Sequence, residues 1–270
     1  MLETSGILSG LWIVLLAAMP IGYLIRLIRQ STYTLKENCL YFPTYLVGRL
    51  WWRVHFLNEP PTEIRRGAIL VANHRSSVDP FFVQLAAGRR VHWMVAKEYC
   101  QHAIFGAVLK PLQVIPTNRS GIDTSATKQA IRLAKEGRLV GMFPEGRINR
   151  TVDPLLPIRS GAALVAMRAN VPLIPIWISG SPYDRTVWSP LFIPARVGIT
   201  FGTPIPEKTP NTTDAPSPTT ECTGEETGKD FGVDQLILQW ANQVVRLAGQ
   251  PRFQVQLAGS KRRARHQDNS

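Results

Sequence analysis

Cysteine is scarce in this 270-residue chain: Cys39, Cys100 and Cys222 stand far apart, with no Cys-x-x-Cys spacing among them. That count excludes a disulfide framework and a zinc ribbon, and a reducing compartment is the default. Histidine supplies no metal set either, because His55, His92, His102 and His266 are scattered, so neither a catalytic metal nor a bound cofactor is expected. Neither a Walker loop nor Gly-x-Gly-x-x-Gly occurs, which argues against a nucleotide-driven step. The Gly-x-Ser-x-Gly elbow is missing too, so Ser76 and Ser77 read as shapers of a turn rather than as nucleophiles. Acidic residues are few, 19 against 31 Lys and Arg for a formal charge of +12. That imbalance favours anionic partners: phosphates, bilayer headgroups or nucleic acid. Hydrophobic residues are not lacking, and at 44% of the chain they exclude wholesale disorder.

Residues 6–25 (GILSGLWIVLLAAMPIGYLI) carry no charge, and at about 1.5 Å per helical residue they reach roughly the 30 Å thickness of a bilayer core. A secretory signal would place basic residues before the apolar run, whereas Glu3 precedes it and Arg26 and Arg29 follow. The expectation is a retained anchor whose C-terminal side faces the cytoplasm, either spanning once or lying on the membrane; Pro20 leaves a buried core helix as the alternative. A second apolar stretch, residues 39–57, is broken by Pro43, Arg49 and Arg53. Its aromatics Tyr41, Tyr45, Trp51 and Trp52 suit a headgroup layer, with an ordinary helix packed on the domain as the other reading.

From residue 67 to residue 202, short β-type runs alternate with helical segments, which predicts an α/β domain: a mixed, largely parallel central sheet flanked by helices. The predicted strands cover 68–73, 91–96, 113–117, 139–143, 173–178 and 196–202. A helix is expected from about Ser125 to Glu136, capped by Thr124 or Ser125 and stopped at Gly137, and another from near Ser160. Residues 207–230, crowded with Pro, Thr and acids, read as a flexible linker, and residues 231–248 as an amphipathic helix before a basic tail. The expected layout is therefore 1–57 membrane-anchoring, 58–206 the α/β domain, 207–230 linker, and 231–270 C-terminal helix and tail. Residues 26–206 hold 23 basic against 10 acidic side chains, so the positive field belongs to the folded body, where it would also attract anionic headgroups.

The sharpest chemical feature is NHRSSVDP at residues 73–80, directly after an apolar strand, because strand ends are where α/β sheets hold their sites. Side chains five apart point away from each other on a helix, so a turn must intervene if His74 and Asp79 are to meet. Asp79 before Pro80 reads as an N-cap with the helix beginning at Phe81. That geometry could return the carboxylate to the imidazole and leave the other ring nitrogen as a base. After another strand come Phe143-Pro144-Glu145-Gly146-Arg147, and after a third Ile115-Pro116-Thr117-Asn118-Arg119. Two arginine-bearing strand ends could clamp one phosphate.

The ordered motifs NHRSSVDP, IPTNR, FPEGR and VPLIPI, over residues 68–178, resemble those of the glycerolipid acyltransferases, especially the 1-acylglycerol-3-phosphate acyltransferases of membrane phospholipid synthesis. The resemblance implies that His74 is the general base and Asp79 its orienting partner. It further implies that Arg119, Glu145 and Gly146 bind the acceptor's phosphate end with Arg147 in support, and that residues 171–175 line the acyl or acceptor channel. The implied reaction is direct transfer from acyl-CoA or an acyl carrier protein thioester to the free hydroxyl of lysophosphatidate, at a membrane and without a cofactor. Two departures bear on the acceptor: many relatives have Phe-Pro-Glu-Gly-Thr-Arg where Arg147 and Ile148 stand here, and an acid where Asn118 stands. Glycerol-3-phosphate or another lyso-lipid, such as a lyso-ornithine lipid, is the alternative acceptor. A basic nucleic-acid-binding protein is the alternative from another class, though no nucleic-acid motif is present and no nucleic-acid partner is expected.

Overall fold

The computed structural model describes residues 33–118, 123–184, 186–206 and 225–258. Residues 1–44 and 45–270 form two compact units. The first helix of the described residues is α1 (Leu35–Leu46), and Tyr33, just ahead of it, stacks on Tyr41 with centroids 4.8 Å apart. The anchor expected over residues 6–25 lies outside the described residues. Among those described, no helix is long and apolar enough to cross a membrane.

The second unit is built on one seven-stranded sheet in the order β1-β7-β6-β2-β5-β3-β4. The strands are β1 (His55–Phe56), β2 (Ala68–Ala72), β3 (Val91–Ala96), β4 (Ile115–Thr117), β5 (Leu139–Met142), β6 (Leu173–Ser179) and β7 (Gly198–Phe201). Every neighbouring pair is parallel except β6 with β7. The mixed, largely parallel sheet expected from the sequence is therefore present. Residues 55–56, which the sequence reading assigned to the N-terminal segment, pair with β7 through His55 and Gly198. The sheet thus begins before residue 58.

Helices cover both faces: α2 (Asp79–Ala87), α3 (Lys97–Gln101), α4 (Ala103–Leu109), α5 (Thr124–Lys135), α6 (Gly161–Ala169) and α7 (Glu225–Leu247). Small residues let α5 and α6 sit close on one face, where Ala126, Ala130, Ala134, Ala162 and Ala166 pack with Ile237, Trp240 and Val244 of α7 around Ile69 and Val71. The opposite face gathers Phe82 and Val83 of α2 with Trp52, Trp93, Leu70 and Ile176. Because β2 is covered on both faces, it reads as a continuous apolar run, and all five of its residues are buried. The α7 helix extends back to Glu225, into the stretch expected to be linker. Its Trp240 donates from Nε1 to the Val71 carbonyl at 3.0 Å, which ties the C-terminal helix to the central strand.

Several local expectations need correction. Asp123, not Thr124 or Ser125, caps α5, its carboxylate accepting from the Ala126 N–H at 3.0 Å. Trp52 does not face a headgroup layer: it is buried and donates to the Pro190 carbonyl. Residues 171–175, expected to line the acyl or acceptor channel, lead into and begin β6. Leu173 pairs with Ile69 near the start of β2, and Leu173 and Ile174 are wholly buried in the sheet.

Candidate active site

The carboxyl ends of β2, β5 and β6 lie side by side, and the three segments leaving them build one site. The chain leaves β2 at Asn73, whose buried side chain is clamped to β6: it donates to the Ile178 carbonyl at 3.0 Å and accepts from the Ile178 N–H at 2.7 Å. That pairing sets where the next residue, His74, emerges.

The His74 and Asp79 side chains meet, with Nδ1 3.1 Å from Oδ2. The turn is held by Asp79 itself, though not as expected. Its carboxylate caps no forward helical N–H; it reaches back to accept from the Arg75 and Ser76 N–H groups, each at 2.7 Å. Val78 occupies the cap position, with no side-chain capping bond. Ser181, from the segment after β6, donates to Oδ1 at 2.7 Å. With these donors already on the carboxylate, Nδ1 is the ring's proton-bearing nitrogen, and Nε2 is left with a bare lone pair. Asp79 is fully buried, whereas the His74 side chain remains 16% exposed, so the ring is fixed yet reachable.

One face of the imidazole lies on Phe143, with centroids 4.0 Å apart and planes within 11°. Phe143 in turn stacks on Trp93 at 4.8 Å. Gly141 makes room for this stack, since a Cβ there would lie 2.6 Å from the Trp93 ring.

The turn after β5 brings a second buried carboxylate to the same place. Glu145 accepts from the backbone N–H of His74 at 2.7 Å and from that of Leu156 at 2.9 Å. Burial pushes its carboxyl up to about 7, and the two backbone donors only partly offset that desolvation. Asn149 then donates its backbone N–H to the His74 carbonyl at 2.7 Å, so the two turns are bonded on either side of the histidine. Gly146, between them, has φ +67, the left-handed region that glycine enters most readily.

The sequence-predicted site residues divide accordingly. His74, Asp79, Glu145 and Gly146 converge. Arg147 is on the same turn, exposed and without a described hydrogen bond or ion pair. Arg119 lies outside the described residues, so the expected two-arginine clamp has only one member in view.

A family model described as Acyltransferase matches residues 53–179. The chain is 30% identical over 142 residues to the 1-acyl-sn-glycerol-3-phosphate acyltransferase of Bacillus subtilis (strain 168), an alignment covering 52% of this chain and 67% of that one. The chain belongs to the acyltransferase family. It is also 32% identical over 175 residues to the 1-acyl-sn-glycerol-3-phosphate acyltransferase of Streptococcus pneumoniae (strain ATCC BAA-255 / R6), across 61% of this chain and 62% of that one. A likeness with TM-score 0.46 and 20% identity, covering 70% of this chain and 71% of the other, is to the crystal structure of the 1-acyl-sn-glycerophosphate (LPA) acyltransferase from Thermotoga maritima. The chain thus spans about two thirds of the length of the two bacterial relatives named above.

Three parts of this candidate site escaped the sequence reading. Ser181 comes from 102 residues away and carries no local signal. Asn149 stands two residues after Arg147, and nothing local marks its backbone N–H as a partner of the His74 carbonyl. Arg159 sits just ahead of α6, where its backbone N–H donates to the Pro144 carbonyl at 2.9 Å. Its guanidinium carbon lies 3.5 Å from where a Gly146 Cβ would stand. The guanidinium makes no described hydrogen bond or ion pair, so a second free cation lies against the Glu145-Gly146 turn. Beside the turn that carries His74 and Asp79 the acyltransferase also has a cleft of about 350 Å³ whose lining includes Arg75, Arg150, Trp177, Ser181 and Tyr183. Arg75 has its guanidinium on the Thr151 and Asp153 carbonyls, at 2.6 and 3.2 Å.

Proposed function

We propose that this acyltransferase moves a fatty acyl group from a thioester, acyl-CoA or acyl carrier protein, to the free hydroxyl of 1-acylglycerol-3-phosphate, forming phosphatidate. The observation that carries the reading is the His74–Asp79 contact, with Nε2 left bare beside the Glu145-Gly146 turn. Nε2 takes the proton of the acceptor hydroxyl while Asp79 holds Nδ1–H and stabilises the imidazolium that forms. The alkoxide oxygen attacks the thioester carbonyl, the carbon–sulfur bond breaks, and the departing sulfur takes the proton back from His74. No covalent acyl-enzyme is needed. General-base assistance of this kind is worth about 10²–10⁴-fold, and the stack on Phe143 keeps the ring from swinging out of line.

Arg147 and Arg159 flank the Gly146 turn without acidic partners, which suits a phosphate carried by the acceptor. Relatives named as 1-acyl-sn-glycerol-3-phosphate acyltransferases support that acceptor. Ile148 and Asn118, which replace a cation and an acid of the commoner motifs, favour testing glycerol-3-phosphate and other lyso-lipids beside it. The apolar stretch at residues 6–25 and the basic body support attachment to a membrane, spanning or lying on it, with the catalytic unit on the cytoplasmic side.

The test is transfer by isolated membranes carrying the full chain, with lysophosphatidate and labelled acyl-CoA or acyl carrier protein. His74→Ala should abolish product at an unchanged protein level. Full activity in that variant would remove the base and the mechanism with it.

A further inference from the structure

The seven residues of α4 (AIFGAVL) are almost all apolar, yet none is buried, and Ile104 stands 61% exposed. An apolar helix left outside a well-filled core marks an interaction surface. It is not alone. Phe105 stacks on Trp188 with centroids 4.1 Å apart. Trp188 opens a segment whose Phe192 is 76% exposed. That segment is bound to the turn at Val47–Trp51: Trp52 donates to the Pro190 carbonyl, and the Ala195 N–H donates to the Trp51 carbonyl. On that turn Leu50 is 76% exposed and Trp51 also lies open. Leu50, Trp51, Ile104, Val108, Trp188 and Phe192 therefore belong to one connected region of the second unit.

Charge identifies what the region meets. The stretches 47–57, 103–110 and 186–196 contain Arg49, Arg53, Lys110 and Arg196 and no Asp or Glu. All four cations are exposed and none has an ion pair among the described residues, Arg49 and Arg53 donating only to the Val54 and Ala195 carbonyls. Apolar and indole side chains on stretches whose only charges are these cations complement an anionic bilayer surface, with the rings at headgroup depth and the charges on phosphates. The region is also joined to the chemistry, because Ser77 of the catalytic turn donates to the Val187 carbonyl at 2.7 Å, next to Trp188.

We propose that α4 and the 187–192 segment, with the turn at Val47–Trp51, form an in-plane docking face for an anionic lipid bilayer, separate from the apolar stretch at residues 6–25, and that this face presents the catalytic turn to membrane-borne substrate. Its choice of a bilayer rests on the lipid-acyltransferase reading above. Once docked, Ile104 and Phe192 lie below the headgroups, while α5, on the other face of the sheet, stays in water.

The test uses the full chain with its three cysteines replaced by serine and one cysteine introduced as Ile104→Cys, Phe192→Cys or, on α5, Arg132→Cys. Each is labelled with an environment-sensitive fluorophore and reconstituted into phosphatidylcholine vesicles with and without phosphatidylglycerol. The expected result is blue-shifted emission at 104 and 192, quenched by nitroxide-bearing lipids and stronger with phosphatidylglycerol, against water-like emission at 132. Water-like emission at all three positions overturns the docking face, even though the chain remains anchored. So does a blue shift in detergent that grows with protein concentration, which would mark a second copy as the occupant. In a parallel assay, the double variant Ile104→Ser with Phe192→Ser should lose about tenfold in rate on vesicle-borne acceptor and keep its rate on a short-chain, water-soluble acceptor. Equal loss on both acceptors also overturns the proposal. If the native chain acylates no lipid acceptor while the labels at 104 and 192 still enter the bilayer, the substrate reading fails and the docking face stands.

Discussion

Two turns on adjacent parallel strands each bring a buried carboxylate to His74, and they use it differently. After β2, Asp79 is met by the imidazole, two backbone N–H groups and the Ser181 hydroxyl. After β5, Glu145 is met by two backbone N–H groups and, among the described residues, no side chain. Asp79 touches the ring and so controls which nitrogen carries the proton; Glu145 touches the backbone of the same residue and so controls where the ring stands. Burial alone does not make a carboxylate part of the chemistry. What decides is which atoms it bonds.

Removing the charge on the first turn should therefore have the largest effect. In Asp79→Asn the amide oxygen can stay where the His74, Arg75 and Ser76 donors converge, with Nδ2 facing the Ser181 hydroxyl, but the imidazolium that forms on His74 loses its anionic partner. The expected fall in kcat is about 10²–10⁴-fold, with acceptor KM little changed. Initial rates over a range of acceptor concentrations check this, and a kcat within a few fold of the native value would show that the contact with Asp79 is structural only.

The next test bears on the second turn's cations. Arg159→Ala and Arg147→Ala should each raise KM for a phosphate-bearing acceptor by roughly three- to tenfold, the scale of one exposed charge-assisted contact, with kcat nearly intact. Arg159→Lys should recover part of the loss. If Arg159 only braces the turn against Gly146, Tm will fall and KM will stay, and the two turns would then differ less than the comparison claims.

How much of this contrast the sequence carries depends on separation along the chain. The apolar run before Asn73 and the spacing from His74 to Asp79 were enough to predict a strand, a turn and a meeting of the two side chains, because all of it is local. The direction in which Asp79 bonds was misread. A carboxylate before proline resembles an N-cap, but here the N–H groups behind it are the closer donors. Trp52, beside Arg53, resembles an interfacial aromatic, yet it is buried against Phe82, and only the fold reveals that packing. Ser181 and Arg159 reach the site from later segments, so no window of sequence containing the histidine includes them.

A smaller effect is expected from Ser181→Ala, which removes one donor from Asp79 and leaves the ring contact in place. A buried carboxylate oxygen without its partner costs about 1–3 kcal/mol, so Tm should drop while kcat falls only a few fold. Thermal melts beside the activity assay separate these. A loss of activity as large as that of Asp79→Asn would mean that the Ser181 hydroxyl, rather than the backbone donors, sets the carboxylate's position.

The second turn makes the finest prediction. Glu145 is held up to about 7 against an ordinary 4.5, chiefly by burial. An acid raised in this way keeps its proton in the folded chain at pH values where the unfolded chain has already lost it. Between about 4.5 and 7 the folded state therefore binds more protons, and stability falls as pH rises through that window, then levels off above it. The full swing is on the order of a few kcal/mol. Glu145→Gln keeps an oxygen for one N–H but cannot ionise, so its Tm should lack this component of the decline between pH 5 and pH 8. Paired melts of the native chain and the variant at those two pH values give the difference directly. Identical pH dependence would place the carboxyl of Glu145 in contact with water and remove the distinction between a carboxylate that orders the backbone and one that orders the ring.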